Sequence, residues 1–147
     1  MRSVLVSGAA RGLGAAVVVR LRADGFAVEE RGGGRIVNIA SESAFRGIGA
    51  TGAHDAASKA GLITLTRRAA AALAGSGVTA NAIAPGTLDG ETVRGLAGDR
   101  LSELAGDVPL GRLGALAEIA GTVSWLLSED ASYAIGTTIL VDNGASL

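Results

Sequence analysis

The chain has 147 residues, 48% of them hydrophobic, with 23 glycines and only 3% aromatics. That is enough for one domain whose core is built from Val, Ile, Leu and Ala, the material of parallel sheets covered by helices. A net charge of −1, with no basic cluster beyond Arg67-Arg68, argues against nucleic acid as a partner, and the lack of cysteine excludes disulfides and thiolate chemistry. Arg11 and four glycines interrupt the N-terminal apolar stretch, so no signal peptide is read there. No apolar run is long enough to span a bilayer, and a soluble cytoplasmic protein is expected.

Ser3–Val6 reads as a short buried strand. It runs into Ser7-Gly-Ala-Ala-Arg-Gly-Leu-Gly14, a glycine turn that opens an alanine-rich helix over Gly12–Ala23, ended by Asp24-Gly25. Gly8, Gly12 and Gly14 let backbone N–H groups approach a phosphate that a Cβ would block, so the turn is suited to set a pyrophosphate on a helix N-terminus. A tight strand–helix turn also calls for glycine with no ligand involved. The flanking strand and helix favour the phosphate reading.

Phe26–Glu29 reads as a short strand, and three glycines follow between Arg31 and Arg35. Ile36–Ala40 is a strand, Glu42–Gly52 a glycine-rich loop, and Asp55–Ala74 a long helix with apolar residues at Leu62, Ile63, Leu65, Ala69, Ala70 and Leu73. Val78–Ala84 is a strand that stops at Pro85-Gly86. Thr92–Leu104 and Leu116–Leu127 are helices, with Trp125 expected in the core, and Thr137–Val141 is the last strand. No repeat or low-complexity linker is present.

Several segments, in order along the chain, resemble the short-chain dehydrogenase/reductases. They are the opening glycine turn, Arg35-Ile-Val-Asn-Ile-Ala-Ser41, Ala57-Ser58-Lys59-Ala60-Gly61, Asn81-Ala-Ile-Ala-Pro-Gly-Thr87, Ser128-Glu-Asp-Ala-Ser-Tyr133 and Gly136-Thr-Thr-Ile-Leu-Val-Asp142. The resemblance implies a Rossmann-like fold and nicotinamide dinucleotide chemistry. It assigns Ser41 and Lys59 to catalysis, and has Pro85-Gly86-Thr87 present backbone to the nicotinamide. Arg11 in the glycine turn suits a 2′-phosphate and hints at NADP.

Two departures from the family stand out. Members of the family run to about 250 residues, as larger single-domain α/β folds do; here Phe26–Glu30 passes straight into the stretch that normally precedes the fifth strand. The third and fourth strands, their helices and the Asn-Asn-Ala-Gly motif have no counterpart. From Glu29 to Arg35 there are seven residues, spanning at most about 25 Å, too few for a parallel crossover. Either Phe26–Glu30 is not a sheet strand, or halves exchange between chains. The second departure is chemical. The family's Tyr-x-x-x-Lys ends at Lys59, which puts Asp55 in the tyrosine position, and the serine thirteen residues upstream falls at Glu42 by counting but at Ser41 by strand end. His54, the only histidine, sits thirteen residues after Ser41.

Each candidate also has a plainer reading. His54, beside Asp55, is either an acid/base group oriented by a carboxylate or a solvated helix start with Asp55 as N-cap for Ala56–Ser58. Ser41 is either a ligand-facing residue at the end of a strand or a turn serine. Lys59 either contacts a ribose and lowers a neighbour's proton affinity or is a surface lysine. Asn81 is expected to support strand packing, and Tyr133 to be structural.

The expected fold is a reduced Rossmann-like three-layer α/β sandwich of four or five mostly parallel strands, in a homodimer that hides the apolar surface uncovered by the missing elements. The leading functional expectation is a small-molecule enzyme performing acid/base chemistry without net redox through Ser41, His54, Asp55 and Lys59, with no cofactor required. The alternative is an NAD(P)-dependent oxidoreductase acting on a carbonyl or alcohol, holding the dinucleotide weakly through Gly8, Arg11, Gly12, Gly14, Pro85, Gly86 and Thr87. The third is a non-catalytic nucleotide-binding or interaction protein.

Overall fold

The computed structural model describes residues 10–25, 34–46, 52–106 and 108–147. The expected strands Ser3–Val6 and Phe26–Glu29, and Gly8 of the glycine turn, lie outside the described residues. The three remaining strands are β1 (Arg35–Ile39), β2 (Thr79–Pro85) and β3 (Thr138–Val141), in the order β1-β2-β3 and all parallel. Register pairs Ile39 with Ile83 and Pro85 with Val141. Central β2 is buried at every residue, in keeping with its run of Ala80, Ala82, Ile83 and Ala84, since both faces are covered.

Helices cover the two faces. On one, α1 (Gly12–Ala23) packs on the sheet with α6 (Leu116–Leu127) through Val17, Leu21, Ile119, Val123 and Leu126, which meet Ile83 of β2. Ser124 of α6 donates to the Asp24 carboxylate at the end of α1, pinning the two helices. On the other face α3 (Ala53–Leu73) lays Ile63, Thr66 and Ala70 on the sheet at helical spacing, with Ile63 against Ala40 and Ala84. The three-layer α/β sandwich is therefore observed. Because the strand order advances in one direction while α3 and α6 sit on opposite faces, the two crossovers have opposite hands. One of them departs from the usual right-handed connection.

Several local expectations need correction. The segment read as a loop over Glu42–Gly52 contains a short helix α2 (Ser43–Arg46), closed by Phe45 and Arg46 amides donating to the Glu42 carbonyl. The long helix starts at Ala53 with Gly52 as N-cap, so Asp55 is not its cap but a residue of its first turn. The helix read over Thr92–Leu104 is broken into α4 (Glu91–Ala97), a 3-10 turn and α5 (Leu101–Gly106), where Gly98 takes φ +52°. Trp125 is 43% exposed rather than core; the buried stripe of α6 runs through Ile119, Val123, Leu126 and Leu127 and leaves Trp125 on the opposite side. Among the described residues no helix is long and apolar enough to cross a membrane.

Candidate active site

Parallel strands in register end together, and the carboxyl ends of β1, β2 and β3 form one edge where open α/β sheets bind ligands. Chain continues past these ends while still bonded across them. The Ala40 amide donates to Ile83 O at 2.7 Å, Glu42 N to Pro85 O at 2.9 Å, and Gly86 N to Val141 O at 3.0 Å. Ser41, Glu42, Pro85, Gly86, Thr87 and Asp142 are thereby held side by side. Thr87 is fixed in turn by its carbonyl, which accepts Gly114 N–H at 3.0 Å.

Helix α3 brings Asp55 and Lys59 to this edge on one face, one turn apart. Lys59 Nζ donates to Ile39 O at the end of β1, 3.2 Å away. Asp55 Oδ2 lies 3.1 Å from Ser43 Oγ, and Ser43 Oγ lies 3.0 Å from Ser41 Oγ. Ser41 and Asp55 are thus joined through Ser43, and Lys59 stands one turn beyond Asp55 at the end of β1. His54 does not join them. It is exposed, its ring lies against Gly52, and among the described residues no contact links it to Asp55, whose carboxylate Ser43 occupies instead. Arg11 and Gly12 stand at the N-terminus of α1, where Arg11 is exposed and extended and Gly12 takes φ +56°.

Sequence reasoning missed Ser43, which is buried between Ser41 and Asp55. Its only sequence signal is a second hydroxyl two positions after the strand end; the contact depends on where α3 starts and how it packs. Glu42 is the other addition. Its Oε2 is buried without a hydrogen-bond partner, and the Arg46 guanidinium stands 3.7 Å away, too far for a hydrogen bond. Burial pushes the Glu42 carboxyl above its ordinary value; Arg46 opposes this and the nearby Asp142 charge adds to it. Asp142 is partly desolvated, yet hydrogen bonds from the Ser146 and Gly144 amides, at 3.0 and 3.1 Å, outweigh that and hold its carboxyl below the usual range.

Asn81, the third residue of β2 and four before its carboxyl end, is fully buried and spans from β2 to the segment before β3. Its Nδ2 donates to Ala134 O at 2.9 Å and its Oδ1 accepts Thr137 N–H at 3.1 Å. It is a packing residue, as expected. An open groove of about 570 Å³ lies at the other, amino-terminal end of the sheet, between Arg35, Val78, Thr79 and Tyr133; none of the candidate groups faces it. Among the described residues no cluster of His, Cys, Asp and Glu is arranged to hold a metal.

A parallel α/β sheet with a glycine-opened first helix and a serine–lysine edge defines a Rossmann-like dehydrogenase scaffold. A family profile described as enoyl-(acyl carrier protein) reductase matches residues 26–146. The 3-oxoacyl-acyl-carrier-protein reductase MabA of Mycobacterium avium is 46% identical over 115 residues, which cover 78% of this chain and 44% of that protein. A crystal structure of a 3-oxoacyl-acyl-carrier-protein reductase from Brucella melitensis superposes with TM-score 0.73 at 33% identity, covering 77% of this chain and 42% of that one. A short-chain type dehydrogenase/reductase from Mycobacterium marinum superposes with TM-score 0.71 at 31% identity, covering 91% of this chain and 48% of that one. The chain belongs to the short-chain dehydrogenase/reductase superfamily. It spans about half the length of the curated relatives it matches.

These relatives overturn the expectation of acid/base chemistry without net redox. They are named as reductases, and the oxidoreductase alternative fits them where the non-redox reading does not. The geometry removes the other support for that reading, since the supposed His54-Asp55 pair is not formed.

Proposed function

We propose that this chain is a nicotinamide-dependent oxidoreductase interconverting a carbonyl and an alcohol, with 3-oxoacyl and 3-hydroxyacyl thioesters as its substrate class. The observation that carries the reading is the gathering of Ser41, Lys59 and Pro85-Gly86-Thr87 at the carboxyl edge of the sheet, in a chain whose relatives are named 3-oxoacyl reductases. Ser41 is the group that addresses the substrate oxygen, and Lys59 fixes the edge on which the dinucleotide ribose rests.

The start of α1 fits a dinucleotide pyrophosphate. Among the described residues no side chain caps its first turn and a Cβ on Gly12 would meet nothing within 4 Å, which supports phosphate binding by the helix N–H groups. Gly8, Arg11, Gly12 and Gly14 would hold the phosphates there, with exposed Arg11 available to a 2′-phosphate and thus favouring NADP. Bound nicotinamide supplies or accepts the hydride. Ile36 and Leu140, 37% and 40% exposed on β1 and β3, together with exposed Trp125, support a homodimer that covers them.

The test is a calorimetric titration with NADPH and NADH, followed by absorbance assays of acetoacetyl thioester with NADPH and of 3-hydroxybutyryl thioester with NADP⁺. Dinucleotide binding with hydride transfer in at least one direction is expected. The absence of both binding and transfer would overturn the reading.

A further inference from the structure

The tyrosine position of the family holds Asp55, and the contacts of Asp55 give it a chemical direction. Ser43 Oγ lies 3.1 Å from Asp55 Oδ2 and 3.0 Å from Ser41 Oγ. A serine has one hydroxyl proton and a carboxylate only accepts, so Ser43 donates to Asp55 and Ser41 donates to Ser43. The Ser43 amide, 3.2 Å from Ser41 Oγ, donates to one of that oxygen's lone pairs and helps orient the Ser41 hydroxyl toward Ser43. Ser43 is 8% exposed, so water does not interrupt the middle of the chain, while Ser41 and Asp55 at its ends are half-buried. Lys59, one turn beyond Asp55, is engaged with Ile39 O and leaves the carboxylate to Ser43. Three side chains therefore form an unbroken donor–acceptor line running from the sheet edge to a carboxylate.

We propose that Ser43 passes a proton from Ser41 to Asp55, so that this relay takes up the hydroxyl proton when an alcohol is oxidised. The proposal rests on the oxidoreductase reading. The substrate's C–H bond gives its electron pair, as hydride, to an oxidised nicotinamide dinucleotide, and the residues here take the proton. As the substrate O–H bond breaks, its proton moves to Ser41 Oγ, the Ser41 proton moves to Ser43 Oγ, and the Ser43 proton moves to Asp55 Oδ2. The substrate carbon–oxygen bond becomes a carbonyl, and Asp55 returns the proton to water from its half-exposed side. A phenol at this position would give a proton to a carbonyl; a carboxylate oxygen that accepts the Ser43 hydrogen bond is placed to receive one.

Two measurements test this on the full chain. The first needs no ligand: the side-chain carboxyl ¹³C resonance of Asp55, identified by its loss in Asp55→Asn, is compared in wild type, Ser43→Ala and Ser43→Thr. The resonance should move in Ser43→Ala and return in Ser43→Thr, which keeps the hydroxyl. The second is NADP⁺ reduction with 3-hydroxybutyryl thioester. Ser43→Ala and Asp55→Asn should each lower kcat by on the order of 10²-fold with KM unchanged, and Ser43→Thr should recover most of it. Asp55→Asn serves as the second variant if Ser43→Ala does not fold. If the chain transfers hydride but these variants keep full kcat, the relay is wrong and the oxidoreductase reading stands. If the resonance moves yet hydride is transferred in neither direction, both fall and the Ser43–Asp55 bond is only structural. An unmoved resonance overturns the relay outright.

Discussion

Gly86 and Asp142 touch backbone to backbone where β2 and β3 end: a Cβ built on Gly86 would lie 2.8 Å from Asp142 Cα and 3.1 Å from its carbonyl oxygen. The contact is what lets Gly86 N donate to Val141 O and carry the chain on to Thr87. The glycine is needed for close approach rather than for an unusual φ. Gly86→Ala must push main chain apart, since no flexible side chain can yield, and should cost about 1–3 kcal/mol. Chemical denaturation of the two proteins measures this, and equal midpoints would refute it.

Asn81 should prove a stability residue. Truncation to Ala leaves Ala134 C=O and Thr137 N–H without their bonds in a site that is fully buried. Each orphaned group costs about 1–3 kcal/mol, so Asn81→Ala should lower stability by at least about 2 kcal/mol. Dinucleotide binding at low temperature, where the variant is still folded, should be retained.

Glu42 sets a pH dependence whose sign can be worked out. Its carboxyl is raised in the folded chain, chiefly by burial, above the ordinary value of 4.5. The folded state therefore holds this proton more tightly than the unfolded state. The resulting stabilisation is full below the ordinary value and is lost as pH rises through the folded one. Glu42→Gln carries no charge to bury, so it should melt higher than wild type at pH 7, with the difference vanishing under acid conditions. Melting curves across that range check it; a Gln variant less stable at pH 7 would show that the Arg46 ion pair outweighs burial.

Arg11 is expected to discriminate between dinucleotides. The wild-type chain should bind NADPH no better than roughly 100 μM, about 5.5 kcal/mol, because the glycine turn offers phosphate contacts while the matched region covers only 44% of the MabA relative. Arg11→Ala should weaken NADPH about tenfold, or 1.4 kcal/mol, and leave NADH nearly unchanged. Submicromolar binding by wild type would mean that a second copy or another segment completes the pocket.

His54→Ala should leave turnover nearly intact, far from the loss of about 10²-fold or more expected for an acid/base residue. The ring is exposed and leans on Gly52, so the substitution removes neither a partner of Asp55 nor core packing. Steady-state kinetics decide the matter, and a large fall in kcat would return His54 to the catalytic set.

Local periodicity and end signals along the chain were sufficient for the α/β class, for the α1 boundaries at Gly12 and Ala23, for α6 at Leu116–Leu127, and for three strands placed within a residue of their observed ends. These depend on neighbours a few positions apart, such as Val17 and Leu21 one turn apart on α1, or Ala80, Ala82, Ile83 and Ala84 along β2. The same holds for Ser41 and Lys59, each marked by a short motif. What packing alone decided is nonlocal. Trp125 is exposed because α6 chose the face that its other apolar residues share, and Glu42 feels the Asp142 charge because the end of β3 stands beside the segment that follows β1. Asp55 answers to Ser43 rather than to its sequence neighbour His54, since adjacent residues on a helix point about 100° apart whereas tertiary packing brings α2 and α3 together. The proton line from Ser41 to Asp55 exists only because two helix starts and one strand end meet in space.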